Sequence, residues 1–154
     1  MNPILLVEEC VNKMDSKPRF IAADWSEVAS ELSTLMYDKT QDGTKYPLIV
    51  MSPIFTETRG GTYSEFTTSF YFITATNKNY TTKQRLELVF DAILEPLFAE
   101  FLYTMFREGV FTFDKNPVQN NEVRIDHTRE YLFLPPNELN DIIDCLKINL
   151  TLKK

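Results

Sequence analysis

The sequence predicts an α+β domain: a mainly antiparallel sheet with a long helix (about 81–108) packed on one face, preceded by short N-terminal helices. Segment 81–108 repeats apolar side chains at the spacing of a helix. The segment SEFTTSFYFITAT has the two-residue period and the β-branched content of a strand, and DIIDCLKINLTLKK alternates apolar with polar residues, as half-buried strands do. Helices and strands therefore follow one another as two helical pieces, two strands, a long helix and two strands, an order typical of the α+β class.

Length and composition indicate one domain spanning residues 1–154. A chain of 154 residues and 18.0 kDa can bury a core without metal or disulfide support. Its net charge of −6 argues against direct nucleic-acid binding, which needs clustered basic residues. The N-terminus has neither a basic leader nor an unbroken apolar run, so we expect no signal peptide and no membrane span. Cys10 and Cys145 fit no disulfide framework and are expected to be buried thiols.

Two short helices are predicted near the N-terminus. PILLVEECVNKM has helical spacing and is opened by Pro3. The stretch DWSEVASELSTLMYDKT begins with Asp24 as N-cap and Glu27 as its capping-box partner. The polar sequence DKTQDGTK then forms a loop before the first strand.

Two strands are predicted next. The apolar run YPLIVMSPIF is bounded by Pro47 and Pro53, which favours a buried strand. In its partner, alternation places aromatic residues on one face and a second apolar set on the other. The first set is Phe66, Phe70 and Phe72, and the second is Tyr71, Ile73 and Ala75.

A long hairpin arm is predicted at about 54–65, because the polar linker between the strands is too long for a tight two-residue turn. Gly60 and Gly61 are expected to supply positive φ at its tip. A phosphate cradle would need a helix after the glycines, and here a strand follows. Arg59, Gly60 and Gly61 are therefore candidate contacts with a neighbouring subunit.

The long helix is capped by Thr81 or Thr82, ends at Gly109 and carries Pro96, which should kink or divide it. One wide apolar stripe is expected to face the sheet. Its members are Leu86, Phe90, Ile93, Leu94, Leu97, Phe98, Phe101, Leu102, Met105 and Phe106.

Acidic residues recur on the other side of this helix at Glu87, Asp91 and Glu95. The stripe is either a solvated face or a second set of candidate subunit contacts.

The remaining chain comprises a polar loop at about 112–122 and the strands VRIDHTREYLFL and DIIDCLKINLTLKK. In the last strand Cys145 falls among the polar positions. His127 is the only histidine and is expected at a surface position of its strand. One histidine excludes a metal site with two, and no catalytic, cofactor or metal site is predicted.

The series FIAADW, YPLIVMSP, FTTSFYFIT, TTKQRLELVFDAILEPLFAEFL and IIDCLKINLTLKK resembles small proteins of phages and prophages of Bacteroidetes-type bacteria. It is similar more broadly to tail-terminator and head-to-tail joining (neck) proteins of tailed phages, over roughly residues 20–154. The segment 110–122 departs from that family by being longer and more polar.

The resemblance implies a non-enzymatic virion structural protein that forms a ring, commonly sixfold, at the tail–neck junction. Its partners would be further copies of itself and neighbouring tail-tube or neck proteins, and it would be made in the host cytoplasm. An alternative is a dimeric α+β binding module for a small molecule or peptide, with a pocket between helix and sheet lined by Phe70, Phe72 and Phe98. A third possibility is an enzyme using Cys145, His127 or a carboxylate.

Overall fold

The computed structural model describes residues 2–24, 27, 46–110, 118–119, 122–123, 127–134 and 143–154. Helix α1 is Pro3–Asn12, and the long helix, α2, is continuous through Thr82–Arg85, Leu86–Leu94 and Glu95–Arg107. The strands are β1 Arg19–Ala22, β2 Leu48–Met51, β3 Thr56–Gly60, β4 Tyr63–Ala75, β5 Val118–Gln119, β6 Glu122–Val123, β7 His127–Leu134 and β8 Ile143–Lys153. The predicted α+β class is confirmed.

Part of the sequence-based prediction falls outside the described residues. This applies to nearly all of the second N-terminal helix, to the loop DKTQDGTK and to most of the loop at 112–122. The start of the second helix is described: the Glu27 backbone N–H donates to Asp24 Oδ1 at 3.0 Å, as the predicted N-cap requires.

In the part of the chain that the structure describes, the main sheet has six strands, in the order β1-β2-β4-β8-β7 with β3 also on β4. Of these strand pairs, β1–β2 is parallel and the others are antiparallel. Strand β1 was not predicted, because four residues give too short a pattern and their partner β2 is distant in sequence.

Strands β2 and β3 pair with consecutive stretches of β4, so both belong to one long interrupted hairpin. Gly60 pairs with Tyr63, which leaves only Gly61 and Thr62 in the turn. The prediction that the linker was too long for a two-residue turn is wrong, because its polar residues themselves form strand β3. Positive φ is found at Gly61 (+52°) but not at Gly60, so that part of the prediction is wrong for Gly60.

The long helix begins and ends where the sequence predicted. Thr81 and Gln84 form a reciprocal capping box, and Gly109 follows the last turn with φ of +80°. Its middle segment, Leu86–Leu94, is π-helical, and Glu95 N–H bonds to Phe90 O. Pro96 then lies in the first turn of the following α-helical segment, so it marks a change of helical type.

The sheet separates two apolar clusters. On one face α1 and α2 cover β4 and β8, and Phe72 packs with Phe98 and Phe101 at ring-centroid distances of 5.3 and 5.4 Å. The other face has a smaller cluster that includes Ile73 and Cys145. Both cysteines are free and buried, as predicted. Cys145 nevertheless lies within this second cluster, so its predicted place on a polar face is wrong.

Candidate functional site

An ion pair fixes the start of the long helix on the sheet. The Arg85 Nε donates to Asp144 Oδ1 at 2.7 Å, and another guanidinium nitrogen donates to the Ile143 carbonyl at 3.2 Å. Asp144 is fully buried, and the guanidinium also lies 5.0 Å from the Phe133 ring centre. Because these contacts are directional, they set which face of the helix packs on the sheet and which points outward.

An outward stripe of apolar residues runs along this helix at intervals of one to four residues. Four are large side chains with relative exposures between 40% and 65%. The members of this outward stripe are Leu88, Ala92, Ile93, Pro96, Ala99, Tyr103 and Phe106. Large exposed apolar surfaces on a soluble protein mark contacts with other molecules.

Part of this surface was predicted to be buried. Leu86, Ile93 and Phe106 are exposed by 37%, 40% and 54%, so their predicted burial is wrong. The π-helical segment Leu86–Leu94 turns each residue by less than an α-helix does, which rotates Leu86 and Ile93 away from their α-helical positions. Phe106 lies in the α-helical segment that follows, where it is five residues from buried Phe101 and therefore on another side of the helix. Leu88 and Tyr103, which fell outside the predicted buried stripe, were the signal that the helix is apolar on a second side.

The three predicted acidic contacts do not form one free surface. The Glu87 Oε1 atom lies 3.8 Å from Lys83 Nζ, and Asp91 is exposed. Glu95 is partly buried and forms an ion pair with Arg129 of β7. Glu87 and Asp91 therefore remain available beside the outward stripe, whereas Glu95 stabilises the packing of α2 on β7.

The predicted tip residues Arg59, Gly60 and Gly61 lie together at the end of the β3–β4 hairpin. Arg59 Nε is 3.0 Å from Glu57 Oε1, and this hydrogen bond raises the pKa of the guanidinium. A Cβ added at either glycine would have no heavy atom of the described residues within 4 Å. The tip is held by the C-terminal strand, because Ser64 and Lys154 exchange two main-chain hydrogen bonds of 2.7 and 2.9 Å.

The geometry argues against a catalytic pair of Cys145 and His127. His127 pairs with Leu150, five positions beyond Cys145 on β8, so they are roughly 16 Å apart along the strand. The His127 ring packs on Phe98 at 5.4 Å, on the helix side of the sheet, whereas Cys145 belongs to the opposite cluster. Burial raises the pKa of the Cys145 thiol to about 12, which disfavours the reactive thiolate.

A deep pocket between the helix and the sheet, lined by Phe70, Phe72 and Phe98, would be the distinguishing sign of the binding-module alternative. In the structure Phe70 and Phe72 are fully buried and Phe98 nearly so, and ring contacts link them to one another and to Phe101. Aromatic side chains therefore fill the space at these three residues.

A mostly apolar cavity of about 350 Å³ does lie on the opposite face. Its walls include Val50, Tyr71, Leu132 and Cys145, and exposed Ile54 stands at its rim.

The described residues contain no group of three or more His, Cys, Asp or Glu side chains arranged to hold a metal ion. No helix in the described ranges has the length and apolar character needed to cross a membrane. The chain matches no protein-family model, and no curated protein is significantly similar to it in sequence.

Proposed function

We propose that this protein is a non-enzymatic virion component of a tailed phage, of the tail-terminator or head–tail connector type, which assembles into a ring at the tail–neck junction. Its partners are further copies of the chain and neighbouring tail-tube or neck proteins. The proposal rests on the sequence resemblance described above together with the exposed surface of the long helix.

The observation that carries the proposal is the outward stripe on α2. Leu88, Tyr103 and Phe106 expose large apolar areas on a helix that is anchored to the sheet by Arg85 and Asp144. A rigid apolar surface loses little conformational entropy when a partner covers it, so its burial favours association.

The charges beside this stripe restrict which surfaces of a neighbouring protein can bind to it. Glu87 and Asp91 give the stripe an acidic border, which favours a neighbour whose facing surface is neutral or basic. A contact of the stripe with a different surface of the next copy is heterologous, and heterologous contacts close into rings when the rotation permits.

Charge insertion into the stripe tests this proposal. We expect the wild-type protein to form annular particles as its concentration rises, and the variants Leu88→Glu and Phe106→Glu to remain small. Thr82→Glu, which adds the same charge at an exposed position off the stripe, is the matched control and should assemble normally. Circular dichroism confirms that each variant is folded. Equal assembly of all four proteins would count against the stripe as the ring contact.

The cavity on the opposite sheet face favours a second candidate, the dimeric binding module for a small molecule or peptide. Its volume of about 350 Å³ and its few polar groups are typical of ligand pockets. Saturable binding of the dye 1-anilinonaphthalene-8-sulfonate, lost in the cavity-filling variant Leu132→Trp, would support this candidate. Dye binding unchanged by that variant would exclude the cavity as its site.

A further inference from the structure

The outer edge of β3 carries main-chain groups with no partner among the described residues. Among the described strands β3 pairs only with β4, and four of its five residues are exposed. An open strand edge is a template for pairing with another strand.

The hydrogen bonds of the neighbouring strand show which β3 residues point their main chain outward. The N–H and C=O of Ser64 both bond to Lys154, on the β8 side of β4. Ser64 is the partner of Arg59, so the Arg59–Ser64 pair exchanges no main-chain bonds. Because the pattern alternates, the N–H and C=O groups of Glu57 and Arg59 both point to the open edge.

The side chains of β3 are complementary to those of a second copy of the same strand. The strand reads Thr-Glu-Thr-Arg-Gly, with Thr58 at its centre. In an antiparallel pair centred on Thr58, Glu57 of each copy stands opposite Arg59 of the other. Opposite charges in directly opposed positions stabilise a strand pair, and like charges destabilise it.

We propose that β3 is a homodimerisation edge, at which two copies of the chain pair antiparallel about a twofold axis through Thr58. The outward N–H and C=O groups of Glu57 and Arg59 then form four main-chain hydrogen bonds between the copies. The Arg59 guanidinium, which bonds to Glu57 of its own chain in the monomer, lies opposite the partner's Glu57 as well.

This inference goes beyond the proposed function and does not depend on it. A twofold contact joins two copies and cannot by itself close a ring. Ring closure is assigned to the outward stripe of α2, so the two surfaces can be disrupted separately.

A charge-swap series tests the pairing by sedimentation over a range of concentrations. Arg59→Glu alone and Glu57→Arg alone each oppose like charges at two positions, and should weaken dimerisation roughly tenfold or more. The double variant Glu57→Arg/Arg59→Glu restores opposite charges and should dimerise as the wild type does. A mixture of the two single variants should form heterodimers, because each supplies the charges that the other lacks.

Cysteine crosslinking tests the register. The two Thr58 residues would form a non-hydrogen-bonded pair with Cα atoms about 4.5 Å apart, within disulfide range. Thr58→Cys should therefore form a disulfide-linked dimer under mild oxidation by air and copper phenanthroline. Thr56→Cys, which would face Gly60 of the partner, should not crosslink.

Several outcomes would overturn the proposal. They are a wild-type protein that stays monomeric, single charge variants that dimerise normally, a mixture that fails to pair, or equal crosslinking at positions 56 and 58. If Leu88→Glu loses the rings but keeps the β3 dimer, the edge contact is established. If a single charge variant of β3 loses the dimer but keeps the rings, the ring contact of α2 is established.

Discussion

Replacing Arg85 with methionine removes a charge that compensates a carboxylate inside the protein. Asp144 is fully buried, and its Oδ1 accepts the Arg85 Nε–H at 2.7 Å. No other described side chain donates to Asp144, and its Oδ2 has no hydrogen-bond partner within the described residues. The Arg85→Met variant would therefore leave a buried charge uncompensated, while its side chain still covers part of Phe133.

The expected loss follows from the burial of the pair. Breaking a buried ion pair by removing one partner costs about 3–5 kcal/mol in the free energy of unfolding. For a domain of this size, that loss lowers the melting temperature by roughly 6–20 °C. Replacing both residues, as in Arg85→Met/Asp144→Leu, should recover most of the stability, because no charge then remains buried.

Urea denaturation followed by circular dichroism measures these changes. Lys83→Met is the matched control, since Lys83 lies in the same turn and its pair with Glu87 at 3.8 Å is largely exposed. That control should change the free energy of unfolding by less than about 0.5 kcal/mol. A cost below about 1 kcal/mol for Arg85→Met, or a double variant no more stable than the single one, would show that Arg85 does not compensate a buried Asp144 charge.

Three further predictions concern the core, the turn and the Cys145 thiol. Phe101→Ala should cost about 3–5 kcal/mol in urea denaturation, whereas Phe106→Ala, at an exposed position, should cost far less; equal losses would contradict the packing described. Gly61→Ala should cost about 1 kcal/mol because its φ is +52°, and Gly60→Ala should be nearly neutral; thermal melts compare them. The pKa of the Cys145 thiol is raised from 9.0 to about 12, so its contribution to stability is present below pH 9 and is lost as the pH rises toward 12. The free energy of unfolding, measured from pH 8 to 11, should fall as the pH rises, and it should fall less steeply in Cys145→Ala. An equal pH dependence in the wild type and in Cys145→Ala would contradict this prediction.

Much of the fold could be predicted from local patterns. The alternation in β4 and β8, the cap at Thr81 and the stop at Gly109 each depend on neighbouring residues, and each was located correctly. Strand β3 was missed because polar residues on an exposed edge strand resemble a loop. Its presence depends on pairing with β4, which a local pattern does not reveal.

The candidate surfaces were harder to predict, because they depend on which way side chains point. The π-helical segment exposes Leu86 and Ile93, which an α-helical pattern places in the core. Glu95 belonged to a predicted acidic stripe, but its pairing with Arg129 requires β7 to pack beside the helix. Arg59 was correctly placed at the hairpin tip, yet the open main chain beside it follows only from the register of β3, β4 and β8.

The most direct test of the proposed function is the native mass of the protein over a concentration series, by light scattering with negative-stain images of the largest species. We expect annular particles that contain more than two copies of the 18.0 kDa chain, and we expect Phe106→Glu to abolish them and Thr82→Glu to retain them. A protein that forms nothing larger than a dimer at any concentration would contradict the assignment of a ring-forming component at the tail–neck junction.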